Sequence, residues 1–78
     1  MNYLATFHTH LAALRTAERL KQASLPARML PVPRRLSSSC GTCVRYAADT
    51  PRRDLLDADF EAVYQADGEA YILLFDNP

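Results

Sequence analysis

A chain of 78 residues has room for one hydrophobic core, so the expectation is a single small domain over 1–78. Its 49% hydrophobic and 23% charged residues are a globular mixture, which excludes a disordered or membrane-embedded chain. Nine basic residues balance nine acidic ones, so no overall field attracts nucleic acid, and Arg34-Arg35 and Arg52-Arg53 are local pairs.

The segment Met1-Asn2-Tyr3-Leu4-Ala5-Thr6-Phe7 has no basic n-region and turns polar at His8, which fits neither a signal peptide nor a membrane span. The expected location is the cytoplasm. Tyr3 to Phe7 reads as a short buried strand. Thr9 then caps a helix from His10 to about Ala23, with Leu11, Leu14, Ala17 and Leu20 on one stripe. Pro26 ends that helix. Ala27 to Val32 reads as a second strand near an edge, because Pro31 has no N–H to give a ladder.

Pro33 releases the chain into a Ser- and Gly-rich loop, Arg34 to Thr42, which is long for a hairpin connection and therefore a place to look for function. Cys43 to Ala47 resumes as a third strand. Asp49-Thr50-Pro51 resembles a cap followed by a first-turn proline, predicting a second short helix from Pro51 to Asp57. Phe60 to Ala66 and Glu69 to Phe75 are two further strands. Asp67-Gly68 between them signals a type I′ hairpin turn with positive φ at both central positions.

This order predicts an α+β fold, a ferredoxin-like βαββαβ sandwich whose extra C-terminal strand forms a hairpin. The core is expected to draw on Leu11, Leu14, Leu20, Leu30, Val44, Leu55, Val63 and Ile72. Tyr71 to Phe75 is apolar on both faces, so it should be covered within the domain or pair with another chain, for instance in a homodimer.

Two cysteines three residues apart cannot be the disulfide framework of a secreted mini-protein, and in a reducing compartment they point to chemistry. In the expected topology the first and second strands are parallel with the third between them. The start of the first helix, with His8, Thr9 and His10, then lies at the same end of the sheet as Cys40. Unpaired N–H groups at a helix N-terminus favour a nearby anion, and Arg34, Arg35 and Arg45 would add positive charge. A loop ending in Ser37-Ser38-Ser39-Cys40-Gly41 can also offer N–H groups and hydroxyls to a sulfur anion.

Three chemistries are compatible with these residues. Cys40 can act alone as an exposed thiol at the loop tip. Cys40 and Cys43 can act as a Cys-x-x-Cys redox pair, with Cys43 resolving what forms on Cys40. His8, His10, Cys40 and Cys43 make a two-histidine, two-cysteine set of the kind zinc takes. A non-catalytic interaction domain needs none of them. Asp54, Asp57, Asp59 and Glu61 show no catalytic spacing and read as a solvated face.

The segment Pro31-Val32-Pro33-Arg34-Arg35-Leu36-Ser37-Ser38-Ser39-Cys40-Gly41 resembles the Pro-x-Pro-Arg-x-Leu/Ile-Ser-x-Ser-Cys-Gly segment of the selenium/sulfur carrier protein-like family. Thr6-Phe7-His8, Ala17-Glu18 and Leu20 to Pro26 agree with the same layout, and the resemblance covers roughly residues 3 to 65. It implies a small bacterial protein whose cysteine holds sulfur or selenium as a persulfide or selenopersulfide. It assigns the carrier role to Cys40, with Gly41 as turn partner and Arg34, Ser37, Ser38 and Ser39 as loop framework. It implies no cofactor. The partners it implies are a protein donor, such as a cysteine desulfurase, and an acceptor enzyme.

Overall fold

A computed structural model describes residues 1–78. The elements run β1 (Asn2–Phe7), α1 (His10–Gln22), β2 (Ala27–Pro31), β3 (Thr42–Ala47), a single 3₁₀ turn (Arg53–Leu55), β4 (Phe60–Asp67) and β5 (Ala70–Asp76). The five strands form one sheet in the order β2-β3-β1-β4-β5, with every neighbouring pair antiparallel. The expected α+β class holds, but the two-helix ferredoxin-like sandwich is not completed, because α1 is the one α-helix on the sheet.

The missing helix has a local cause. Arg52 takes a left-handed conformation, φ 49°, inside the segment expected to be helical. Only the turn Arg53–Leu55 follows, since one hydrogen-bonded turn cannot repay the cost of nucleating a longer helix. Arg53 holds the turn against the sheet by lying 4.7 Å from the ring centre of Phe75 and 5.6 Å from that of Phe60.

Strand alternation divides the sheet residues between two faces. Tyr3, Ala5, Phe7, Val44, Tyr46, Phe60 and Val63 face α1 and build the main core with Ala12, Ala13, Ala17, Leu20 and Leu56. The helix stripe is therefore rotated from the expected one. Leu11 and Leu14 are exposed, at 52% and 40%, while Ala12, Ala13, Thr16, Ala17 and Leu20 are buried. The sheet supplies the bulk on this side, with the Tyr3 and Tyr46 rings 5.4 Å apart, and small helix residues let α1 approach it closely. Of the other expected core members, Leu20, Val44 and Val63 are fully buried, Leu30 and Leu55 are half-buried, and Ile72 is 52% exposed.

The opposite face has no helix, yet Leu4, Thr6, Cys43, Ala62 and Ala66 are buried there. The long connection from Val32 to Gly41 is the segment left to shield them, and its hydrogen bonds span the sheet. Ser38 Oγ donates to the carbonyl of Phe7 (3.0 Å) at one end, and Arg35 donates to the carbonyl of Glu69 (2.6 Å) at the other.

The β4–β5 turn is one residue later than the sequence suggests. Asp67 pairs with Ala70, and Gly68 alone has positive φ, 61°, which is the pattern of a type II′ turn over Gly68-Glu69. Edge strand β5 leaves Ile72, Leu73 and Leu74 at 52%, 52% and 38% exposure, so it is not covered within the chain. No helix is long and apolar enough to cross a membrane.

Candidate functional site

The end of β1, the start of α1 and the start of β3 meet at one end of the sheet. Thr9 is extended and its hydroxyl accepts from the N–H of Ala12 (3.1 Å), which fixes the first turn of α1 as the sequence suggests. His10 Nδ1 then lies 3.3 Å from Thr42 Oγ1. The N–H of Thr42 in turn donates to Cys40 Sγ (3.4 Å), and the Cys40 thiol can donate to the carbonyl of Thr42 (3.4 Å). The helix start therefore reaches Thr42, the residue whose N–H meets the Cys40 sulfur, and touches the sulfur only through it.

Gly41 makes this sulfur contact geometrically accessible. Its φ of 73° reverses the chain between Cys40 and Thr42, and its carbonyl accepts from the N–H of Val32 (3.0 Å), closing the loop. No atom lies within 4 Å of where a Cβ would stand, so the constraint is conformational and not spatial. Cys40 is half-buried and packed against the main core, not raised on the loop tip as expected.

Cys43 is a different kind of thiol. It alternates with Val44, so it faces away from α1, has no exposed surface, and donates to the carbonyl of Pro31 (3.7 Å). Burial pushes it up to about 11, with a smaller rise from Cys40 and an opposing pull from Arg45. Both thiols are free.

A hydrogen-bonded group that the sequence reading missed stands next to Cys40. Phe7 pairs with Phe60 and Thr6 with Ala62, so Glu61 is the extra residue of a β-bulge, a device that re-aims a side chain. Its carboxylate accepts from Ser39 Oγ (2.8 Å) and from the Ser39 N–H (3.3 Å), and lies 3.6 Å from His8 Nδ1. Partial burial is the largest single influence on Glu61 and raises it. The hydrogen bonds from Ser39, with Ser38 and His8 close by, outweigh that and leave the carboxyl below its usual range. Asn77 completes the set, with its N–H on the carbonyl of Glu61 (2.9 Å) and its own carbonyl 3.4 Å from His8 Nε2.

His8 thus acts on the loop through Glu61 and Ser39, not on the thiol itself. Nor is Asp57 part of a solvated face: it is buried, its N–H donates to Thr16 Oγ1 (2.9 Å), and its carboxylate is 3.7 Å from Arg19. Ser37 is exposed. Arg34 and Arg35 do not flank Cys40; they line a cleft of about 310 Å³ with Gly68, Glu69 and Tyr71, at the far end of the sheet. Arg45 lies beside Cys43, on the opposite face. No group of three or more His, Cys, Asp or Glu side chains is placed to hold a metal ion, so the set His8, His10, Cys40 and Cys43 is not assembled. The imidazole of His8 is held by Glu61, that of His10 by Thr42, and Cys43 faces away.

No curated protein and no solved structure gives a significant match to this chain. A family model described as "Putative Se/S carrier protein-like" matches residues 2–56, which include the first strand, the helix, the cysteine loop and both thiols. That span is well over half of the chain, and on it the protein belongs to the Se/S carrier protein-like family.

Proposed function

We propose that the protein is a cytoplasmic carrier that holds sulfur or selenium on Cys40 and passes it to an acceptor protein. The observation that carries this reading is the contrast between its two thiols. Cys40 is partly open, with a backbone N–H on its sulfur, whereas Cys43 is sealed and strongly protonated.

Loading is a thiol–persulfide exchange. The Cys40 thiolate attacks the outer sulfur of a donor persulfide, a new S–S bond forms on Cys40, and the donor's S–S bond breaks to leave its thiolate. The thiol proton of Cys40 passes to water before attack. Unloading is the same displacement by an acceptor nucleophile, with Cys40 as leaving group. The thiolate of Cys40 and the outer sulfur both carry negative charge in these steps, and the N–H of Thr42 is placed to donate to the Cys40 sulfur. A resolving role for Cys43 would require it to leave the Pro31 carbonyl and its cover, so the geometry favours Cys40 acting alone. Contact with a donor, an acceptor or a second copy fits the exposed edge strand β5.

Intact-mass measurement after incubation with a cysteine desulfurase and cysteine tests the reading. Wild type and Cys43→Ser should gain one sulfur, reversible by dithiothreitol, and Cys40→Ser should gain none. Equal sulfur uptake by Cys40→Ser would end the carrier assignment.

A further inference from the structure

The register of β2 against β3 places Arg28 directly opposite Arg45. Like charges directly opposed across two strands destabilise a sheet. Nothing in the chain relieves the pair. The ion pairs are His8–Glu61, Arg19–Asp57 and Arg52–Asp54, and neither Arg28 nor Arg45 belongs to one.

Arg45 alternates with Val44 and Tyr46, which face α1, so both arginines stand on the helix-free face. Asn2, alternating with Tyr3, stands on the same face and pairs with Ala47 two residues beyond Arg45. These three side chains line one cleft of about 130 Å³, floored by Pro26, Ala27, Tyr46 and Ala47. The neighbouring positions on this face, Leu4, Leu30, Cys43 and Tyr64, carry no acid, and neither does the covering loop from Val32 to Gly41. The protein as a whole is neutral, so this is a local concentration of positive charge without its counter-charge.

We propose that this cleft is a binding site for a small, doubly charged oxyanion of the phosphate type, free or as a small phosphomonoester. Two guanidinium groups offer two charges and forked donors, and Asn2 adds a carboxamide N–H; a dianion with three or four acceptor oxygens matches that set, whereas a carboxylate satisfies one fork and half the charge. Size agrees. The cleft holds the equivalent of about four waters, enough for a tetrahedral anion with part of its hydration, and it is well below the roughly 300 Å³ at which pockets for larger ligands begin. The site stands apart from Cys40, on the other face of the sheet, and is independent of the carrier reading.

The test is a titration of the full chain, followed by amide NMR shifts at constant ionic strength, with inorganic phosphate, glycerol phosphate, acetate and chloride. Phosphate or glycerol phosphate should give a saturable response at Asn2, Arg28, Arg45 and Ala47, and the tighter of the two identifies the free or esterified form. Arg28→Gln and Arg45→Gln should each weaken binding at least about tenfold, the loss expected for one charged hydrogen-bonding partner. Arg28→Glu should abolish binding and raise the melting temperature in phosphate-free buffer, because it replaces a like-charge pair with an opposite-charge one. That rise shows that Arg28→Glu is folded, and cooperative thermal unfolding of the glutamine variants shows the same for them. A response shared by acetate or chloride, or one retained in the Arg28→Gln/Arg45→Gln double variant, would overturn the proposal, as would no response to either phosphate.

Discussion

Replacing Cys40 by serine leaves Cys43 as the one thiol, and its reactivity can be worked out in advance. In the wild type its titration is shifted from 9.0 to about 11, chiefly by burial, which the substitution leaves in place while removing the smaller push from Cys40. At pH 8 a thiol at 9.0 is about 10% thiolate and one at 11 about 0.1%, so the loss of the reactive form approaches a hundredfold. The absence of any exposed surface adds a second barrier, since a reagent must wait for the loop to lift from the sheet. Cys40→Ser should therefore react with iodoacetamide at pH 8 at least about a hundred times more slowly than free cysteine, and unfolding in urea should restore the ordinary rate. Cys43→Ser, which keeps the half-buried Cys40, should be the faster of the two variants under native conditions. Comparable rates for both, or a Cys40→Ser protein labelled as fast folded as unfolded, would refute the division of roles between the thiols.

The same shift makes stability depend on pH. Cys43 binds its proton more tightly folded than unfolded, so its contribution is complete below pH 9.0 and is lost as pH rises toward 11; it amounts to on the order of 2–3 kcal/mol, and urea midpoints of wild type and Cys43→Ala across pH 8–11 should converge accordingly. Leu20→Ala should cost about 2–4 kcal/mol in a chemical denaturation series, whereas Leu11→Ala, at an exposed position on the same helix, should cost less than about 1 kcal/mol. Glu61→Gln keeps the shape of the bulge but weakens its grip on Ser39; the amides of Ser39 to Gly41 should exchange hydrogen faster, with a stability loss of about 1 kcal/mol.

Most of the architecture was legible because it rests on local signals. Thr9 as cap, Pro26 as breaker and the apolar runs at Tyr3–Phe7, Cys43–Ala47 and Phe60–Ala66 all place elements where they are found. What failed depended on partners distant in the chain. A helix rich in both alanine and leucine offers two apolar stripes, and the aromatic rings of the sheet decide that the alanines go inward. The left-handed Arg52 that cancels the second helix has no local signature, since arginine is not a residue that favours that conformation. In the candidate site, Cys40, Gly41 and Thr9 could be named from the sequence. Glu61 could not, because a bulge is a property of the pairing between β1 and β4 and leaves no mark on either strand alone.

β1 occupies the middle of the sheet although it is the first of the five strands in sequence order. Tyr3 pairs with Tyr46 on one side and with Gln65 on the other, so both ladders that hold it join residues far apart in the chain. Closing such loops is entropically costly before their contacts are gained. During synthesis β1 must wait for both β3 and β4 to emerge before it has two neighbours, while β4 and β5 are joined by a two-residue turn and need only each other. Refolding by stopped-flow should accordingly be governed by insertion of the first strand between the two halves of the sheet. Until that insertion, the waiting strand Asn2–Phe7 is an unpaired apolar segment of a nascent chain, open to chaperones and to misassembly alike.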